Sequence, residues 1–179
     1  MKKTQLFICT CLSLCLVSLN SCKKIDELTT FDLAYAAKVT VPANAIINIP
    51  IDIFTPDVTT NSESEFATKG TAKDYIDKIN LTSLAMKITS PSTQRFDFVK
   101  SIEISISASG LSDIKIAQKL DVPDNIGTDL SLDILENNIA EYIKKDKFKL
   151  NVKVITDKSI TSDVKIDINS NFRVKAKLL

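Results

Sequence analysis

The stretch Phe148-Lys149-Leu150-Asn151-Val152-Lys153-Val154 sets an apolar residue at every second position and a polar one between. A period of two belongs to a β-strand with one dry face and one wet face. The pattern recurs downstream. Val164, Ile166 and Ile168 alternate with Lys165 and Asp167, and Phe172, Val174, Ala176 and Leu178 alternate with Arg173, Lys175 and Lys177. Upstream, Ile102, Ile104, Ile106 and Ala108 alternate with Glu103, Ser105 and Ser107, and Ile47, Ile49, Ile51 and Ile53 with Asn48, Pro50 and Asp52. Leu84, Met86 and Ile88 add a strand, as do segments 33–41 and 114–117. A wet face rich in Lys and Ser over a dry face is the signature of antiparallel sheets packed face to face. The chain is therefore expected to be mostly β: an antiparallel β-sandwich of about seven to nine strands with one or two short helices. Pro50 has no N–H to give a ladder, so its strand is placed at an edge or at a bulge. Gly70, Gly110 and Gly127 fall between strand patterns, where turns need them.

Two segments carry helical spacing. Ile134, Leu135, Ile139, Tyr142 and Ile143 predict a helix over 134–145, with Asp133 and Glu136 spaced as a capping box and Lys144 and Lys145 at its C-terminal end, where the dipole favours cations. This helix is expected to cover an open end of the sandwich. Ala72, Tyr75, Ile76 and Ile79 predict a shorter helix over 71–79. The polar run Thr59–Ser64 is the candidate mobile loop.

Composition narrows the chemistry. At 179 residues the chain suits one domain. It has no His, which removes Ser-His-Asp and Cys-His catalysis and His-ligated zinc. Only three Gly are present, and Arg occurs only at Arg95 and Arg173, so phosphate loops and Arg clusters are not expected. A net charge of +1 argues against a nucleic-acid partner.

The N-terminus has its own logic. Lys2 and Lys3 precede an apolar run from Leu6 to Leu19. That run is short of the roughly 20 residues a membrane-spanning helix needs and fits the core of an export signal. The following Leu19-Asn20-Ser21-Cys22 resembles the lipobox of bacterial lipoproteins, with Leu, a small residue and Cys in place and Asn20 bulkier than usual. The resemblance implies cleavage before Cys22 and lipidation of its thiol. The expected organisation is a signal peptide at 1–21, a lipidated Cys22 with a short tether over 22–30, and one sandwich domain over 31–179. All four Cys lie within the first 22 residues, so the processed chain has no disulfide to staple it. Removing residues 1–21 takes away Lys2 and Lys3 and leaves 21 basic against 22 acidic side chains, a net charge of −1. By analogy with Gram-negative sorting, Lys23 after the lipid Cys points to the outer membrane, with its face left open. The charged Lys23-Lys24-Ile25-Asp26-Glu27 is similar to tags on envelope lipoproteins of Bacteroidota. Segment 81–179 resembles small sandwich domains of the desiccation-related, water-stress type, with Ser90-Pro91, the 102–108 strand and a helix near 139 in comparable order. That group has no catalytic motif to carry over.

Candidate chemical sites are few. Asp121, Asp124, Asn125 and Asp129 with Gly127 offer calcium-type ligands, but not at the spacing of an EF-hand; a strand connection is the preferred reading, and no metal site is expected. Glu63, Glu65, Glu103, Glu136 and Glu141 could supply an acid–base pair, but Trp is absent and only Tyr35, Tyr75 and Tyr142 could serve as sugar platforms. Ser112 and Lys115 form an S-x-x-K in a turn, read as coincidence. Phe96 and Phe98 share a face at strand spacing and are assigned to the core rather than to a binding site. The expected function is a lipid-anchored, non-catalytic binding or structural module of the cell envelope. No cofactor is expected. The expected partners are the membrane, through the lipid, and another envelope protein. Two alternatives stand beside it: a carrier of a lipid or other apolar ligand inside the sandwich, and a pilin-like subunit that exchanges a strand.

Overall fold

The computed structural model describes residues 29–177. The expected export signal, Cys22, most of the expected tether and Leu178 lie outside the described residues. The elements run β1 (Thr30–Val41), β2 (Ile51–Phe54), β3 (Val58–Thr59), α1 (Ser62–Thr68), β4 (Ile76–Ser90), β5 (Val99–Ser107), β6 (Ile114–Lys119), β7 (Asp129–Ser131), β8 (Asp133–Ile134), α2 (Ala140–Ile143), β9 (Lys147–Thr156) and β10 (Val164–Ala176). One sheet has the order β1-β10-β4-β7; the other has the order β2-β9-β5-β6-β8, with β3 also on β9. Every pairing is antiparallel. The two dry faces meet in one core that contains Ile102, Ile104 and Ile106 of β5, Leu150, Val152 and Val154 of β9, and Ile166, Ile168, Phe172 and Val174 of β10. The fold is the expected antiparallel β-sandwich, with ten strands among the described residues rather than seven to nine.

The extra strands are the very short β3, β7 and β8, which periodicity over two or three residues cannot reveal. In the other direction, β10 joins two segments that read as separate. Val164 to Ala176 keeps one phase throughout, so Ser170 falls on the dry face, where it is 3% exposed. Its hydroxyl donates to the Tyr35 carbonyl at 3.1 Å, which lets a polar residue sit in the core.

The helix expected over 71–79 is instead a 3-10 turn at Lys73–Tyr75 followed by β4. Ile76 and Ile79 are both buried, but Tyr75 is exposed. Their spacing of three comes from a β-bulge: Lys78 opposes Lys175 while Ile76 opposes Ala176, so Asp77 is the extra residue. A second bulge puts Leu81 opposite Phe172 and Ser83 opposite Asn171, which spaces Leu81 and Leu84 by three as well. The helix expected over 134–145 shrinks to α2. Ile134 and Asp133 belong to β8, and Asp133 pairs with Lys119 at 3.3 Å instead of capping. Asn137 and Asn138 bond strands: Asn137 Nδ2 donates to the Lys115 carbonyl, and Asn138 Oδ1 accepts from the Ile79 and Ala140 N–H groups. Side chains spent on neighbouring backbone hold this segment extended until Ala140. Thr59–Ser64 is not a loose loop. Thr60 and Ser62 are buried, and their hydroxyls donate to the Lys145 and Lys144 carbonyls at 2.6 and 3.3 Å.

The strand read from Ile47 begins only at Ile51. Asn44 and Asn48 take left-handed φ of 60° and 61°, a conformation Asn tolerates, and Pro50 follows. Ile46 and Ile49 are consequently 65% and 50% exposed. Pro50 does precede an edge strand, as expected.

Tyr35, Phe148 and Phe172 form an aromatic cluster between the sheets, with centroids 5.5 to 6.4 Å apart. The Tyr35 hydroxyl donates to the Thr60 carbonyl at 2.9 Å. Burial, with the nearby Glu65 charge second, pushes its pKa from 10.0 up to about 12. The neutral phenol is thus the favoured form in the fold. Its contribution is complete below pH 10 and is lost as pH rises towards 12. After discounting for partial exposure, the native protein should lose about 1–2 kcal/mol more than Tyr35→Phe across that window. Urea unfolding at pH 9 and 12 checks this, and phenolate absorbance should show one tyrosine titrating late.

Thr156, fully buried at the end of β9, has no hydrogen-bond partner for Oγ1 among the described residues. Thr156→Val replaces a hydroxyl without a partner by a methyl of the same shape. It is expected to raise stability by about 1 kcal/mol, seen as a higher urea midpoint at unchanged slope.

Candidate functional site

Two surface grooves stand out. The larger, of about 740 Å³, lies on the wet face of the β1-β10-β4-β7 sheet, where β4 bulges. β7 pairs only with Ala85–Lys87, so the first half of β4 has no strand on that side. Residues 137–139 run there instead, with the Ile139 N–H on the Ile79 carbonyl at 2.8 Å. The groove floor is apolar, from Leu81 and Ile134. Its walls carry Lys78, Arg173 and Lys175 against one carboxylate, Glu136. Arg173 is steered by Asp32, its Nε and Nη2 donating to the two carboxylate oxygens at 2.9 and 3.0 Å. The hydrogen bonds to Arg173 hold the Asp32 carboxyl below its ordinary pKa, and those to Asp32 raise that of Arg173. With Arg173 matched by Asp32, Lys78 and Lys175 against Glu136 leave one net positive charge over an apolar floor, which suits a ligand with a negative group and an apolar body.

The smaller groove, about 380 Å³, lies against Phe148 and is lined by Asp57, Asp113, Lys147 and Lys149. Asp57 bridges Lys147 and Lys149 at 3.4 and 3.5 Å, and with Asp113 the two carboxylates balance the two lysines in number.

The sequence-derived candidates do not converge on either groove. Asp124 accepts from Lys158 at 2.6 Å, a bond that raises the Lys158 pKa, and Asp129 faces Lys87 at 3.7 Å. Asp121 and Asn125 point into solvent. Among the described residues no cluster of three or more Cys, Asp or Glu is placed to hold a metal ion. Of the carboxylates weighed as acid–base partners, Glu103 is bound to Lys115 at 2.7 Å and Glu141 to Lys144 at 3.3 Å, Glu63 and Glu65 lie on α1, and Glu136 alone lines the larger groove. Of the S-x-x-K pair, Lys115 is thus engaged by Glu103, while the Ser112 backbone carbonyl accepts from the Tyr142 hydroxyl. Phe96 and Phe98 are buried, in a 3-10 turn rather than a strand. Lys78, Lys175 and Glu136 meet across three chain segments, and no local pattern announces such a meeting.

A different feature occupies the far end of the sandwich. β1 spans roughly 36 Å from the chain's entry at Thr30. Beyond its far end, the 42–50 loop exposes Ile46, Ile47 and Ile49. Lys100 ties this loop to the 120–122 segment, its Nζ on Asn48 Oδ1 at 3.4 Å and its carbonyl on the Val122 N–H at 3.1 Å. Leu120 is exposed there too, so this end carries four of the six exposed large apolar side chains of the described residues.

No helix among the described residues is long and apolar enough to cross a membrane. No family model matches the chain, and no curated protein matches it. Among solved structures it is similar to a turnip yellow mosaic virus chain, at 12% identity and TM-score 0.31 over 84% of this chain and 95% of that one. It is similar also to the acid-stable capsid of Helicobacter pylori bacteriophage KHP30, at 8% and 0.35 over 84% and 99%. A third likeness is to CBM32-3 of a family 31 glycoside hydrolase from Clostridium perfringens, at 10% and 0.30 over 85% and 78%. At that level of likeness nothing passes from these proteins to this chain.

Proposed function

We propose that the chain is a lipid-anchored protein of the bacterial cell envelope that works as a non-catalytic binding or structural module. The observation that carries this reading is Leu19-Asn20-Ser21-Cys22, set directly after a short apolar run and a basic N-terminus. Cys22 lies seven residues before Thr29, where the described chain begins, so little more than a tether separates anchor and sandwich. Two or three acyl chains hold a protein firmly on a bilayer. The apolar far end supports a binding role, since clustered exposed isoleucines mark contact surfaces. The cationic groove near Thr30 is the place the fold offers a small acidic ligand.

The alternatives find less footing. The inner faces are filled by packed side chains such as Phe148, Phe172, Ile104 and Met86, and both grooves open on the surface, which leaves the sandwich interior no evident room for an apolar cargo. The C-terminal strand, one candidate for exchange, is central to its sheet, paired on both sides.

The test is the intact mass of protein extracted from membranes. Residues 22–179 plus acyl chains are expected, with Cys22→Ala abolishing both the added mass and the membrane fraction. An unmodified chain starting elsewhere overturns the anchor.

A further inference from the structure

Sheet edges are sites of unwanted pairing, and proteins blunt them with short strands, Pro, bulges or charges. Most edges here follow that rule. β7, β8, β2 and β3 have three, two, four and two residues, and Pro50 precedes β2. β1 does not. It is an edge strand of 12 residues, in unbroken register with β10 from Thr30↔Lys175 to Val41↔Val164, without Pro or bulge. Its wet face carries Asp32, Ala34, Ala36, Lys38 and Thr40, so nothing bulky guards the middle.

The direction of its peptide groups follows from Ser170. The hydroxyl of that residue reaches the carbonyl of Tyr35, which lies directly opposite, so the odd residues of β1 turn their peptide groups to β10. The even residues therefore present theirs to the free edge. Ala34 and Ala36 stand at its centre.

We infer that this edge pairs with β1 of a second copy of the chain, antiparallel about a two-fold axis through Tyr35. In that register Ala34 exchanges backbone hydrogen bonds with Ala36 of the second copy, Thr30 with Thr40, and Asp32 with Lys38. The charges select it. Within one copy Asp32 already pairs with Arg173 at 2.9 Å, Lys38 with Asp167 at 3.8 Å, and Lys87 with Asp129 at 3.7 Å. Across the junction the row runs Arg173, Asp32, then Lys38, Asp167, Lys87 and Asp129 of the second copy. Every neighbour in that row has the opposite sign, and symmetry repeats the row. Sliding the register two residues either way sets Lys38 against Thr30 or Ala34, and Asp32 against Ala36 or Thr40, and breaks it. The product is one continuous sheet across both copies, with no strand leaving its own sandwich. The pairing does not depend on the lipid anchor.

The test uses the full chain, extracted in detergent, with protein mass measured by light scattering over a concentration series. Twice the single-chain mass is expected. Ala36→Pro removes an edge N–H and should leave a folded monomer. Asp32→Lys alone and Lys38→Asp alone place like charges at both junction pairs, and each should raise the dissociation constant at least about tenfold. Mixed together, these two variants restore both opposite-charge pairs and should form a one-to-one dimer. A native chain monomeric at every concentration overturns the inference. So does a dimer that survives Ala36→Pro, or a charge-variant mixture that stays monomeric.

Discussion

Phe172→Ala is expected to cost about 4 kcal/mol, within the range for deleting a fully buried aromatic ring. Phe172 is 0% exposed, and its ring lies 5.7 Å from Tyr35 and 6.4 Å from Phe148. Its loss opens a cavity that strands on both sheets must share, because Tyr35 lies on β1 and Phe148 on β9. Neither side can collapse far. Tyr35 is tied by its hydroxyl to Thr60, and β10 is fixed by pairing with both β1 and β4. A domain stable by 5–15 kcal/mol would lose a large part of its margin. The urea midpoint should fall sharply while the slope stays put. Phe54→Ala provides the contrast. Phe54 is 58% exposed on β2, and its removal should change stability by no more than about 0.5 kcal/mol. Equal losses at the two positions would mean that the described core is not where the folding energy resides.

These two phenylalanines mark how far the sequence could be read. Period two identified the dry faces of β5 from Ile102 onward, of β9 and of β10, because burial repeats there without interruption. It failed where another constraint set the spacing. On β4 the intervals of three at Ile76–Ile79 and Leu81–Leu84 arise from bulges, which are properties of a strand pair rather than of a strand. At Ile47 and Ile49 the alternation was real, but left-handed Asn44 and Asn48 turned the chain into a loop. At 134–138, Asn137 and Asn138 spent their amides on other strands. The larger groove was illegible for a related reason. Lys78, Glu136 and Arg173 come together only through the order of strands, and that order depends on long-range pairing.

Ala36 and Asn169 turn that last point into an experiment. They are direct cross-strand neighbours, both exposed on the same wet face. By sequence pattern they are equivalent: solvent-side positions in alternating strands. The topology makes them opposite. β10 lies between β1 and β4, and its even residues turn to β1, as Ser170 does. Asn169, an odd residue, therefore gives its N–H to β4, where it opposes Ala85. The Asn171 carbonyl, two residues on, is likewise turned to β4 and accepts from Thr82 Oγ1 at 3.0 Å. Asn169→Pro deletes a ladder bond in the centre of a sheet and pushes its ring against β4. It is expected to cost at least about 3 kcal/mol. Ala36→Pro deletes an N–H that faces the free edge, and the β1–β10 ladder keeps all its bonds. Its cost to the single chain is expected to stay within about 1 kcal/mol. Urea unfolding of the two variants side by side, at a concentration low enough to keep the chain monomeric, checks the pair. Equal destabilisation would place both N–H groups inside the sheet and refute the position of β1 at its edge, whereas the expected inequality ties the strand order to two residues that sequence alone cannot tell apart.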